Sequence, residues 1–86
     1  MTWRAPARLR MADASAALDA GRAAIAAGET RIDLSAATDV DSSAVALLLA
    51  WQRAAGRHSL AFEGASPALA ELARLYGVGE LVGLPA

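Results

Sequence analysis

A chain of 86 residues with net charge −1, 56% apolar residues and no cysteine excludes several functions. Disulfides, thiolate zinc sites and cysteine nucleophiles are ruled out, and no basic run or stripe offers a footprint for nucleic acid or anionic lipid. A domain of this length buries roughly 60% of its unfolded surface, which leaves little room for a deep substrate pocket.

The chain reads as one domain over residues 1–86. Its 24 alanines favour helix but bury little area each, so large core residues are few. Three arginines precede Met11 without the apolar stretch of a signal peptide. The longest apolar run, 44–51, is far short of the roughly 20 residues a membrane helix needs. The expected location is therefore cytoplasmic, with no direct membrane insertion.

In chain order, Thr2 to Met11 reads as a short alternating strand or a small hairpin bent at Pro6. Asp13 to Ala27 reads as a helix capped by Asp13 or Ser15 and ended by Gly28. Ala14, Ala17, Leu18, Gly21, Ala24 and Ile25 share one face of it. Arg31 to Ser35 alternates as a strand and is followed by a polar loop, Ala36 to Asp41.

Ser42 to Ala55 is the clearest helix, capped by Asp41 or Ser42 and closed by Gly56. Val45, Leu47, Leu48, Leu49 and Trp51 nearly encircle it, so more than one face needs cover, from the fold or from a partner. Ser59 to Phe62 reads as a strand. Ser66 and Pro67 open a third helix with Leu69, Leu72, Ala73 and Tyr76 as its buried stripe. Val78, Leu81, Val82 and Leu84 form an apolar tail expected to pack on the core. Strands alternating with helices imply parallel crossovers.

Catalytic signatures are missing. His58 is the one histidine, too few for a metal site or for a triad without a Gly-x-Ser-x-Gly elbow. Gly77 and Gly79 follow a helix instead of opening one, so they do not form a phosphate cradle. Asp33, Asp39 and Asp41 would need a sheltered pocket to act as an acid–base pair. Trp51 has two open readings, interface anchor or core residue. Arg53 and Arg57 read as a solvated face.

The informative stretch runs from Asp33-Leu-Ser35, through a short loop, to Asp41-Ser-Ser43 at the start of an apolar helix. Acidic and hydroxyl side chains at a helix N-terminus stabilise it, and the same place suits a phosphate or a partner loop. This pairing, with Leu60-Ala-Phe62, Ser66-Pro67-Ala-Leu69 and Leu72-Ala-Arg-Leu-Tyr-Gly-Val78, resembles the STAS (anti-sigma-factor-antagonist) domain family from about Asp13 to the C-terminus.

The resemblance implies an α/β STAS-like fold, a central mixed sheet with helices and a short N-terminal strand region. The Leu-Tyr-Gly-Val ending is similar to the STAS subunits of Mla-type phospholipid-transport ABC transporters. That similarity implies a non-catalytic subunit that binds the cytoplasmic transporter ATPase and supports outer-membrane lipid asymmetry. It would lie peripherally at the inner membrane through the complex.

Ser42 matches the position that contacts the ATPase, Ser43 the serine phosphorylated in sigma-pathway antagonists, and Asp41 the acidic residue before them. The expected partner surface is Asp41, Ser42, Ser43, Val45, Ala46 and Leu49, with no cofactor and no metal. The chain departs from the family pattern at Ala44, where many relatives have glycine, and in its short front. The alternative is an anti-sigma-factor antagonist that captures an anti-sigma kinase and is switched by phosphorylation of Ser43. A free-standing domain with another partner is the third reading.

Overall fold

The computed structural model describes residues 2–57 and 60–77. The readings of His58 and of the apolar tail after Gly77 lie outside the described residues. The described elements run β1 (Thr2–Arg4), β2 (Arg8–Leu9), a 3-10 turn (Met11–Asp13), α1 (Ala14–Ala26), β3 (Arg31–Asp33), β4 (Asp39–Val40), α2 (Ser42–Ala55), β5 (Ala61–Glu63) and α3 (Pro67–Leu75).

β3 is the middle strand of a three-stranded sheet, with β1 on one side and β5 on the other. Trp3, Ile32 and Phe62 stand in one cross-strand row. Ile32 is fully buried and Phe62 nearly so. The flanking rows, Thr2-Arg31-Ala61 and Arg4-Asp33-Glu63, face outward and are mostly exposed. The two crossovers, β1-α1-β3 and β3-α2-β5, move the same way across the sheet. Right-handed connections then put both helices on one face, and α1 packs along α2.

The expected sheet is present, with one difference. A mixed sheet needs an antiparallel pair, and all pairings among the described residues are parallel. The hairpin suggested for Thr2 to Met11 is likewise not formed. β1 pairs with β3 and β2 pairs with β4. Ala5 N–H donates to the Asp33 carbonyl (2.9 Å), whereas the Ala7 carbonyl accepts from Asp39 N–H (3.1 Å). Pro6 stands between them without an N–H to give. The chain therefore switches from one partner strand to another at that point. β4 lies within the segment that reads as a polar loop, because two residues are too short to show alternation.

The helices follow their sequence signals closely. α1 buries Ala17 and Gly21, with Ala14, Leu18, Ala24 and Ile25 half-buried on the same side. Asp13 precedes it without a side-chain cap bond; its carboxylate accepts from Arg10 N–H instead. α2 ends at Gly56, whose φ of 61° a side chain would resist. Ser66 caps α3 by accepting from Leu69 N–H (3.2 Å), and its hydroxyl donates to the Ala37 carbonyl (2.6 Å). That buried serine ties α3 to the loop after β3. Tyr76 departs from the expected buried stripe and is 59% exposed. The helix ends at Leu75, and the stripe does not extend past its last turn.

Trp51 is fully buried in α2 and settles its two readings in favour of the core. Its ring meets Trp3 edge to face at 5.3 Å between centroids. Its Nε1–H reaches the Leu18 carbonyl in α1 at 3.4 Å. Gly21 lies under the indole: a Cβ there would come under 3.0 Å from three ring atoms. Alanine gains about 1 kcal/mol over glycine in a helix interior. Overpacking costs about 1–3 kcal/mol, and a fully buried indole has no free space to retreat into. Gly21→Ala is therefore expected to lower unfolding free energy on balance, by up to about 2 kcal/mol, in urea titration followed by tryptophan fluorescence.

Candidate functional site

The N-terminus of α2 is held by one carboxylate. Asp41 is extended (φ −133°, ψ −169°), and its Oδ1 accepts from Ser43 N–H at 2.9 Å. Its Oδ2 accepts from Met11 N–H at 3.1 Å. Asp41 thus caps α2 and also pins the turn before α1. Both bonds, that from Met11 first, favour the ionised form and hold the carboxyl below the usual aspartate range, with Arg10 adding attraction.

Around it lies a set of exposed charges. Arg10 pairs with Asp39, and Arg8 lies 3.7 Å from Asp39 and 3.9 Å from Asp13. These pairs bridge β2 and β4 at the register Arg8↔Asp39. Exposed pairs contribute little stability singly, so their main effect is to arrange charge beside the α2 terminus. Asp33, in the Asp-Leu-Ser segment, is structural. Its Oδ1 accepts from Ser35 N–H (2.9 Å) in an Asx turn, and its Oδ2 accepts from Arg4 (3.3 Å). The Ser35 bonds lead in holding its carboxyl below the ordinary value.

Ser42 is exposed and Ser43 half-buried, just behind the cap. Ser42, Ala46, Leu49 and Arg53 follow helical spacing and make the outer stripe of α2, with Leu49 half-buried against the core. Val45 is 5% exposed. Its side chain is part of the domain's interior and has almost no surface to offer a partner, which corrects its place in the expected partner surface. The other five residues reach the surface at least in part.

A shallow groove of about 350 Å³ runs between α1 and α2 beside this stripe. Ala14, Ser15 and Leu18 form one wall, and Ser43, Ala46 and Ala50 the other. Met11, 77% exposed, stands at the same end of α1. Sequence reasoning missed Met11, Ser15, Leu18 and Ala50 as parts of this surface. Ala14 and Leu18 fall on the inward face of α1, and periodicity alone does not show that alanines on both helices leave the gap unfilled.

Among the described residues no group of three or more acidic or histidine side chains is placed to hold a metal ion. No described helix is long and apolar enough to cross a membrane.

Asp41 also carries a pH prediction. A depressed folded-state value means its stabilisation is full above the unfolded aspartate value of about 3.9 and is lost as pH falls through the lower folded value. Asp41→Asn is expected to lower the Tm at neutral pH. Its Tm should change less than the parent's between about pH 6 and about pH 3, because one of the groups that charge on folding is gone. Thermal unfolding by circular dichroism across that range checks both effects.

A family model described as "Mlab, STAS domain" matches residues 4–83. No curated protein and no solved structure matches the chain. The family match spans nearly all of the sequence, and it agrees with the parallel β-α-β crossovers and the Asp41-capped α2; the chain belongs to the STAS domain family and resembles MlaB.

Proposed function

We propose that this protein is a non-catalytic subunit that binds the cytoplasmic ATPase of an Mla-type phospholipid-transport ABC transporter. It docks through the N-terminus of α2 and would sit peripherally at the inner membrane as part of that complex. The observation that carries the reading is the division of labour at this terminus. Asp41 does the capping, so the exposed Ser42 is not needed for that bond. Beside it, the outer stripe and the apolar groove of about 350 Å³ offer contact area. The membership in a family described by MlaB supports the choice of partner.

Ser42→Asp and Ser42→Arg separate folding from binding. Asp is favourable and Arg mildly unfavourable at a helix N-terminus, by about 0.3–1 kcal/mol each. Both variants should fold with a Tm close to the parent's, and both should lose co-purification with the ATPase and permease. Normal binding by either folded variant would place the contact elsewhere.

A second reading, an antagonist that captures an anti-sigma kinase and is switched at Ser43, is favoured by one observation. Ser43 stands beside the Asp41 carboxylate, which accepts from its N–H at 2.9 Å. A phosphate there would add about −2 charge beside an existing anion and disturb the cap. Intact-mass measurement of protein from its own host, with a phosphate of stoichiometric yield on Ser43, would favour this reading over the transporter. An unmodified mass would remove it.

A further inference from the structure

The groove between α1 and α2 has two unlike ends. Where the helices begin, the acidic groups are already engaged. Asp41 accepts from Ser43 N–H and from Met11 N–H. Asp13 accepts from Arg10 N–H, and Asp39 pairs with Arg10 and Arg8. This end therefore offers a partner hydroxyl and apolar surface: Ser15, Ser43 and the exposed Ser42, with Met11 as an adaptable lip. At the other end Arg22 follows Leu18 by one turn of α1, and Arg53 follows Ala50 by one turn of α2. Both arginines are exposed. Asp19, the next acid along α1, is turned about 100° around that helix from Leu18, away from the groove. The groove is thus an apolar trough with cations at one end only.

The walls also limit the backbone of whatever lies there. The N–H and C=O groups of α1 and α2 are used inside those helices, so neither wall offers a strand edge to pair with. A segment that buries one side in the trough must satisfy its own backbone groups, and a helix does so. Ala14, Ala46 and Ala50 on the walls let a helix axis come close, since the distance between packed helices follows the size of the side chains at the contact.

We propose that this groove receives an amphipathic helix of a partner protein, apolar on one face and acidic at its first turn. Its apolar side chains lie over Leu18, Leu47 and Ala50, and its carboxylates meet Arg22 and Arg53. Acidic residues stabilise a helix at its start, so that start lies at the arginine end. The partner helix then runs antiparallel to α1 and α2, with its dipole opposed to theirs. The inference rests on the reading of this end of the domain as a docking surface and adds the chemistry of the occupant.

The test is an NMR titration of the isotope-labelled protein with a synthetic amphipathic peptide of about 15 residues, long enough to be helical. It carries leucines at helical spacing and glutamates in its first turn; a control peptide has glutamine for each glutamate. The expected result is saturable shifts at Ser15, Leu18, Ala46 and Ala50, with the glutamine peptide about fivefold weaker. The combined variant Arg22→Glu, Arg53→Glu should weaken the glutamate peptide by at least about the same factor and leave the glutamine peptide unchanged. The difference between the peptides should disappear in about 1 M salt.

Equal binding of the two peptides would leave a plain apolar trough and overturn the acidic partner. No saturable shift, or shifts confined to other faces, would overturn the site. Shifts at the same residues that grow with protein concentration in the absence of peptide would assign the groove to a second copy of the chain and overturn the proposal as well. The docking reading fails separately. If Ser42→Arg loses the ATPase and the arginine variant keeps it in full, that reading stands and the helix proposal falls. If Ser42→Arg keeps the ATPase while the peptides show the expected selectivity, the assignment to the transporter falls and the groove keeps its occupant. If the arginine variant does not fold, the comparison of the two peptides on the parent protein decides alone.

Discussion

The Trp51 indole is the largest fully buried side chain, and three elements are arranged around it. α2 carries it, β1 presents Trp3 to its edge, and α1 passes at the distance that Gly21 allows. In a core rich in alanine, one ring of this size contributes a large share of the buried apolar area. Its polar atom is also given a partner, the Leu18 carbonyl, so burial leaves no donor unmade. The spacing of α1 and α2 follows from this contact, and so does the groove between them. Where the helices are held apart by an indole at one level, the alanines at another level cannot close the gap.

Asp41 couples this core to the candidate site. A cap that bonds only its own helix stabilises that helix alone. Asp41 bonds α2 through Ser43 and the turn before α1 through Met11, so the groove wall and the helix terminus are fixed relative to one another. The exposed Ser42 has no such duty in the cap. It can serve recognition without a cost to the fold, which is the condition for a surface that is both well placed and free to vary.

The open face of the sheet shows a different use of the same short strands. Parallel sheets are usually covered on both sides. Here the outward rows carry Arg4, Arg31, Asp33 and Glu63, and the Arg4–Asp33 pair lies across neighbouring strands. Charged residues on that side let a small domain leave it to water. The apolar row Trp3-Ile32-Phe62 needs only the one helical layer.

How much was legible depended on the range of the signal. The bounds of α2, a cap at Asp41 or Ser42 and its stop at Gly56 could be read directly, because capping and glycine signals act within one turn, and the fold chose Asp41. The Ser66 cap and the inward stripe of α1 were equally plain, and the Asp-Leu-Ser and Asp-Ser-Ser segments carried the family. Other features had no local signature. A two-residue strand such as β4 shows no period, so its pairing with β2 became visible only when the chain had folded. The burial of Val45 depended on which neighbours reached it, and the exposure of Tyr76 on the end of α3 at Leu75. The fate of Trp51 was decided by a glycine 30 positions earlier in the chain. By itself, then, the sequence determined the helices, the Ser66 cap of α3 and the family. Tertiary structure decided which apolar faces were used up inside and which were left for a partner, because packing depends on residues far apart in sequence, whereas capping and periodicity do not.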